Sequence, residues 1–158
     1  MKRPQKVVRS PIARHTVLRI VYNGPMGLAR SAVERHVAYW NARDREAWVK
    51  LFSDTVVFED PVGAPPKVGV AAVHNSWDRS FRPGRRWVLQ PRQIVEAGAE
   101  AAVVMHNEDH LGDRIVEVRG IEIFSVDDLG RIVSIRSFFE QPTDFVLDDY
   151  FTPGRTAD

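Results

Sequence analysis

The second half of the chain constrains the fold most. Four β-rich stretches run almost without a break: Trp87–Ala97, Glu100–Leu111, Arg114–Val126 and Arg131–Gln141. The short gaps between them hold Gly98, Gly112-Asp113 and Asp128-Leu129-Gly130. Such residues supply the backbone conformations that tight hairpins need. Strands of this length twist as they pair, so the sequence predicts a strongly curved antiparallel or mixed sheet.

The first half has a different period. Leu28, Ala32, Val33, Val37 and Trp40 recur at helical spacing and predict an amphipathic helix over about 28–43, after the breaker cluster Asn23-Gly24-Pro25. Asp44 is placed to cap a shorter helix carrying Ala47, Trp48, Leu51 and Phe52. Thr55–Glu59 then reads as a strand stopped by Asp60-Pro61, 62–69 as loop, and Val70–Phe81 as a third helix. Helices first and strands later predict an α+β fold with the helices covering one face of the sheet. A chain of 158 residues fits one domain. We expect it over residues 26–145, with a flexible basic extension at 1–25 and a loose tail at 146–158. The extension carries Lys2, Arg3, Lys6, Arg9, Arg14 and Arg19 ahead of the first acid, Glu34. It lacks the apolar core and cleavage site of a secretion signal.

Composition removes several functions. The chain has no cysteine, which excludes disulfides, thiolate metal sites and a thiol nucleophile, and fits a cytoplasmic protein. A net charge of +1 gives no pull toward nucleic acid, and no apolar run is long enough to span a membrane. No phosphate-binding glycine loop or nucleophile elbow is present. His106 and His110 share a strand face with Glu108, while Asn107 and Asp109 share the other. No zinc spacing results, and no metal or cofactor is expected.

Alternation along the third long strand sends Val116, Val118, Gly120, Glu122 and Phe124 to the covered face. Glu122 is out of place there, because burying a carboxylate is costly unless it is paired or stays protonated. It either keeps its proton, meets an arginine, or is turned outward by a bulge. Asp60 has two readings as well. Asp before Pro commonly starts a turn. Yet Asp60 also ends the apolar strand Val56-Val57-Phe58 at the lip of a loop of Val, Ala and Pro, where partial desolvation would raise its basicity. His36, four residues before Trp40, lies on or beside the apolar stripe of the first helix and is open to a packing or a chemical role. Ile115, Ile121 and Ile123 face outward and leave an apolar stripe, which predicts a homodimer through that face.

The segment Phe58-Glu59-Asp60-Pro61-Val62-Gly63-Ala64-Pro65-Pro66-Lys67-Val68-Gly69 resembles the strand and loop of steroid Δ-isomerases. Asp44–Trp48 with Leu51–Asp54 resembles the second helix of that family. Val118–Glu122 with Asp128–Ile132 resembles its later hairpin. The likeness runs over about residues 30–141. The hairpin is shared by the wider nuclear-transport-factor-2-like and SnoaL-like superfamily. The resemblance implies a cone-shaped α+β fold enclosing a pocket for a steroid-like or polyketide-like molecule. It puts Asp60 at the position of the proton-shuttling base and Glu122 at that of the protonated acid of the oxyanion hole. The oxyanion-hole tyrosine falls at His36, and two supporting tyrosines fall at Phe52 and Trp77. Trp40, Phe52, Trp77, Met105, Asn107, Val118, Ile135 and Phe139 are the expected pocket walls. The implied activity is a cofactor-independent isomerisation of a bulky hydrophobic ketone. The alternatives are a polyketide cyclase or dehydratase using Asp60 and His36, and a non-catalytic binder of hydrophobic ligands.

Overall fold

A computed structural model describes residues 27–140; the basic extension and the C-terminal tail lie outside the described residues. In chain order the elements are α1 (Leu28–Ala42), α2 (Arg45–Val49), β1 (Phe52–Glu59), β2 (Lys67–Val68), α3 (Gly69–Ser80), β3 (Arg85–Val88), β4 (Pro91–Ala97), β5 (Glu100–Leu111), β6 (Arg114–Val126) and β7 (Ile132–Phe139). The strands form one curled sheet in the order β2-β1-β7-β6-β5-β3, with β4 also on β5. All pairings are antiparallel except β1 with β7, so the sheet is mixed. The helices lie on the concave face, and the result is the expected α+β cone. No helix among the described residues is long and apolar enough to cross a membrane.

Local chemistry explains the elements and the departures from expectation. Asp44 caps α2 as its position suggests, accepting from the Ala47 N–H at 3.0 Å. Helix α1 has no side-chain cap of its own. Its orphan N–H groups are met from the sheet: Glu96 of β4 accepts from Gly27, Ala29 and Arg30, each at 3.1 Å. Strand β1 starts three residues earlier than the pattern of β-formers suggests. Leu51 and Phe52 leave the helix because β7 offers a ladder, with the Ile132 N–H donating to the Leu51 carbonyl at 2.8 Å.

The expected single strand Trp87–Ala97 is two strands. Pro91 has no N–H to give the ladder, and the chain breaks at Leu89-Gln90. Asn41 of α1 holds the break by donating to the Leu89 carbonyl at 2.8 Å and accepting from its N–H at 2.9 Å. Gly120 marks the closest approach of β6 and β7. A Cβ there would stand 2.3 Å from the Phe138 carbonyl oxygen. The core fills the cone with aromatic rings. Trp40, Trp48 and Trp77 meet edge-on or tilted at 4.9–5.4 Å between centroids, a favourable geometry for their quadrupoles.

Candidate active site

Strand order brings together residues that are far apart in sequence. Asp60 follows β1, Ser137 lies on β7 and Glu122 on β6, and these strands are neighbours in that order. Glu122 and Ser137 are directly paired across β6 and β7. The Val62 N–H donates to the Ser137 carbonyl at 2.8 Å and fastens the turn after Asp60 to the same strand. His36 comes down from α1, opposite the row. Asp60, Glu122 and His36 all line one cavity of about 90 Å³, shared with Trp40, Asn107 and Val118.

Ile135 and Phe139 also line it. Phe52, Trp77 and Met105 do not. They are buried behind the wall, where Phe52 packs on Trp48 at 4.6 Å and Trp77 on Phe81 at 4.4 Å. The wall also contains residues the sequence reading passed over: Trp48, Phe58, Trp87 and Leu89, and three serines, Ser76, Ser80 and Ser137. Ser137 had a readable signal. It stands between Ile135 and Phe139 on the inward alternation of β7, a polar residue on an apolar face. Trp87 points inward by the alternation of β3, on the same face as buried Arg85.

The two carboxyl groups are partly buried in unlike surroundings. Burial pushes the Asp60 carboxyl up from its ordinary value, while the Lys67 charge and a hydrogen bond from the Ser137 hydroxyl pull it back. Lys67, opposite Phe58 on β2, donates its ammonium to the Asp60 backbone carbonyl. Burial lowers the pKa of that ammonium, against the opposing effect of Asp60. Among the described residues no such cation acts on Glu122. Burial and the nearby Asp60 charge push it up to about 8, only partly offset by Asn107, whose Nδ2 donates to Glu122 Oε1 at 3.2 Å. Asn107 is steadied in turn by accepting from the Gln90 N–H at 3.3 Å, in the β3–β4 break. Near neutral pH Glu122 therefore keeps its proton, while Asp60 is the carboxyl group with a cation beside it.

His36 is buried among Trp40, Trp48, Phe52 and Phe124. Desolvation lowers its pKa to about 3, so the ring is neutral. Its Nδ1 accepts from the Trp48 indole N–H at 3.1 Å. An apolar cavity holding a base, a protonated acid and a neutral imidazole can move a proton and stabilise an oxyanion.

Comparison with known proteins agrees with this architecture. The Mycobacterium tuberculosis protein RV0760c, in complex with estradiol-17β-hemisuccinate, is 25% identical, with 72% of this chain and 94% of that chain covered and a TM-score of 0.62. The Δ5-3-ketosteroid isomerase of Mycobacterium sp. is 24% identical over 72% of this chain and 93% of that one, TM-score 0.62. An M. tuberculosis LEH-like epoxide hydrolase is 23% identical over 72% and 83%, TM-score 0.65. The SnoaL-like domain matches residues 33–135, most of the cone, including His36, Asp60 and Glu122. On that match, this chain belongs to the SnoaL-like domain family.

Proposed function

We propose that the chain is a cofactor-independent isomerase of a hydrophobic ketone, with Asp60 as the proton-shuttling base. The observation that carries this reading is the unlike pair of carboxyl groups in one apolar cavity, Asp60 beside the Lys67 cation and Glu122 beside the Asp60 charge. The Asp60 carboxylate removes a proton from a carbon next to the carbonyl. The electron pair moves onto the carbonyl oxygen, giving a dienolate. The Glu122 O–H and the His36 N–H donate to that oxygen; such donors lower a barrier by about 3–4 kcal/mol each. Asp60 then returns the same proton to the far end of the dienolate. The double bond moves, and no electrons enter or leave.

Cavity size bears on the substrate. A cavity of about 150 Å³ holds one benzene ring, and this one is smaller at about 90 Å³. It takes the carbonyl end of a ligand, with the rest lying toward the mouth. The test compares a Δ5-3-ketosteroid with a single-ring β,γ-unsaturated ketone, using wild type and Asp60→Asn. We expect the substitution to slow turnover by about 10²–10⁴-fold on the accepted substrate. Wild type no faster than Asp60→Asn on both would overturn the reading.

We propose that the chain self-associates through the outer sheet face. Ile115, Ile121 and Phe138 are 57%, 48% and 40% exposed there, while Ile123 is half-buried. Apolar exposure of this kind on one face supports a homodimer. Sedimentation at micromolar concentration should show two copies; a monomer would count against the face.

A further inference from the structure

We infer that Trp48 is a positioning residue that holds His36 in the Nε2–H tautomer and so makes it a fixed hydrogen-bond donor toward the cavity. The inference rests on reading the cavity as a proton-transfer site, and it separates the isomerase from a mechanism in which His36 exchanges protons with Asp60.

The argument starts from what an indole can do. Trp Nε1–H is a donor only, and neutral imidazole has one N–H and one acceptor nitrogen. Trp48 Nε1 lies 3.1 Å from His36 Nδ1. Nδ1 must then be the acceptor, and the ring proton sits on Nε2. A proton on Nδ1, in the other tautomer or in the imidazolium, would point at the indole hydrogen. His36 therefore has no nitrogen free to take a proton while this bond lasts. Among the described residues Nε2 has no protein partner, and the residue lines the cavity.

The packing keeps the ring from turning over. Phe124 stands at 5.2 Å and Phe52 at 6.1 Å between centroids, both edge-on, and Trp40 stacks at 6.2 Å. Trp48 is itself fixed at every level. Its backbone N–H donates to the Asp44 carbonyl at 2.9 Å, and its ring packs on Trp40 at 4.9 Å and on Trp77 at 5.3 Å. A phenol donates its single O–H wherever it rotates. An imidazole can replace it as a donor only when something decides which nitrogen carries the hydrogen, and Trp48 makes that decision.

The direct test is the two-bond ¹H–¹⁵N NMR spectrum of the unliganded full chain. We expect His36 Nδ1 to resonate as an unprotonated, hydrogen-bonded nitrogen and Nε2 as a protonated one. An Nδ1–H tautomer or an imidazolium in wild type overturns the inference. This readout needs no substrate, so it stands or falls apart from the isomerase reading. In Trp48→Phe the pattern should move toward a mixture of tautomers, with kcat down about 10–100-fold and KM kept, the size seen when an orienting partner is lost. A folded Trp48→Phe with unchanged kcat also overturns it. If that variant does not fold, the wild-type spectrum decides alone. A third arm compares His36→Gln, which puts an amide N–H near the Nε2 position, with His36→Asn, which puts it near Nδ1. The glutamine variant should retain the larger share of kcat, and the reverse order overturns the inference.

Discussion

Asp60 and Glu122 bear the same functional group, and their neighbours divide the labour. Burial raises both, but Lys67 and Ser137 oppose it at Asp60, whereas the Asp60 charge adds to it at Glu122. This division makes stability depend on pH in an unusual direction. Below the ordinary glutamate value of 4.5, Glu122 is protonated in both folded and unfolded chains and contributes nothing to the pH dependence. Between 4.5 and about 8 the folded chain holds a proton that the unfolded chain has lost. Stability should therefore fall as pH rises through that window, by up to about 1.4 kcal/mol per pH unit, and level off above it. Glu122→Gln should flatten this slope, as read from urea midpoints at several pH values between 5 and 9. The activity of the wild type should fall on the alkaline side as the Glu122 proton is lost. That limb should be absent in the glutamine variant, which keeps an N–H donor.

At the scale of elements, the cavity depends on helix α1 being held at a fixed height above the sheet. Its N-terminus has no capping side chain within reach along the sequence, and Glu96 supplies the missing acceptor from β4. A carboxylate there also complements the positive end of the helix dipole. Glu96→Ala should cost about 1–2 kcal/mol. It should also speed amide exchange in the first turn of α1, and exchange in β5 and β6 should change only through the global loss. Unchanged protection of Ala29 and Arg30 would show that the cap contributes little.

Across the whole molecule, a buried ion pair ties the last strand of the cone to its centre. Arg85 of β3 donates to Asp109 of β5 through Nε at 2.9 Å and Nη2 at 2.7 Å, with side chains 2% and 0% exposed. The pair anchors the strand that carries Trp87 into the cavity wall. Leaving one charge alone in the interior is far worse than removing both. Arg85→Met should lower unfolding free energy by about 3–5 kcal/mol, and the double change Arg85→Met with Asp109→Leu should recover most of it. Urea unfolding of the three proteins as a thermodynamic cycle measures this. Equal losses in the single and double variants would refute it.

The sequence alone determined the helices, the two long strands β5 and β6 and the faces they present. Helical spacing marks α1, period-two alternation puts Glu122 inside, and glycine turns set the hairpins, because each of these is a short-range regularity. It also singled out Asp60 and Glu122, since a carboxyl group on an apolar face is visible without coordinates. The resemblance to steroid Δ-isomerases then suggested the roles proposed for them. Tertiary structure alone decided which walls face the cavity and which lie behind it, why Leu89-Gln90 breaks a strand, and where α1 finds its cap. It also brought Trp48 to His36 and Lys67 to Asp60. These depend on which strands become neighbours and how sharply the sheet curls, and so on contacts between residues whose separation in the chain carries no period to read.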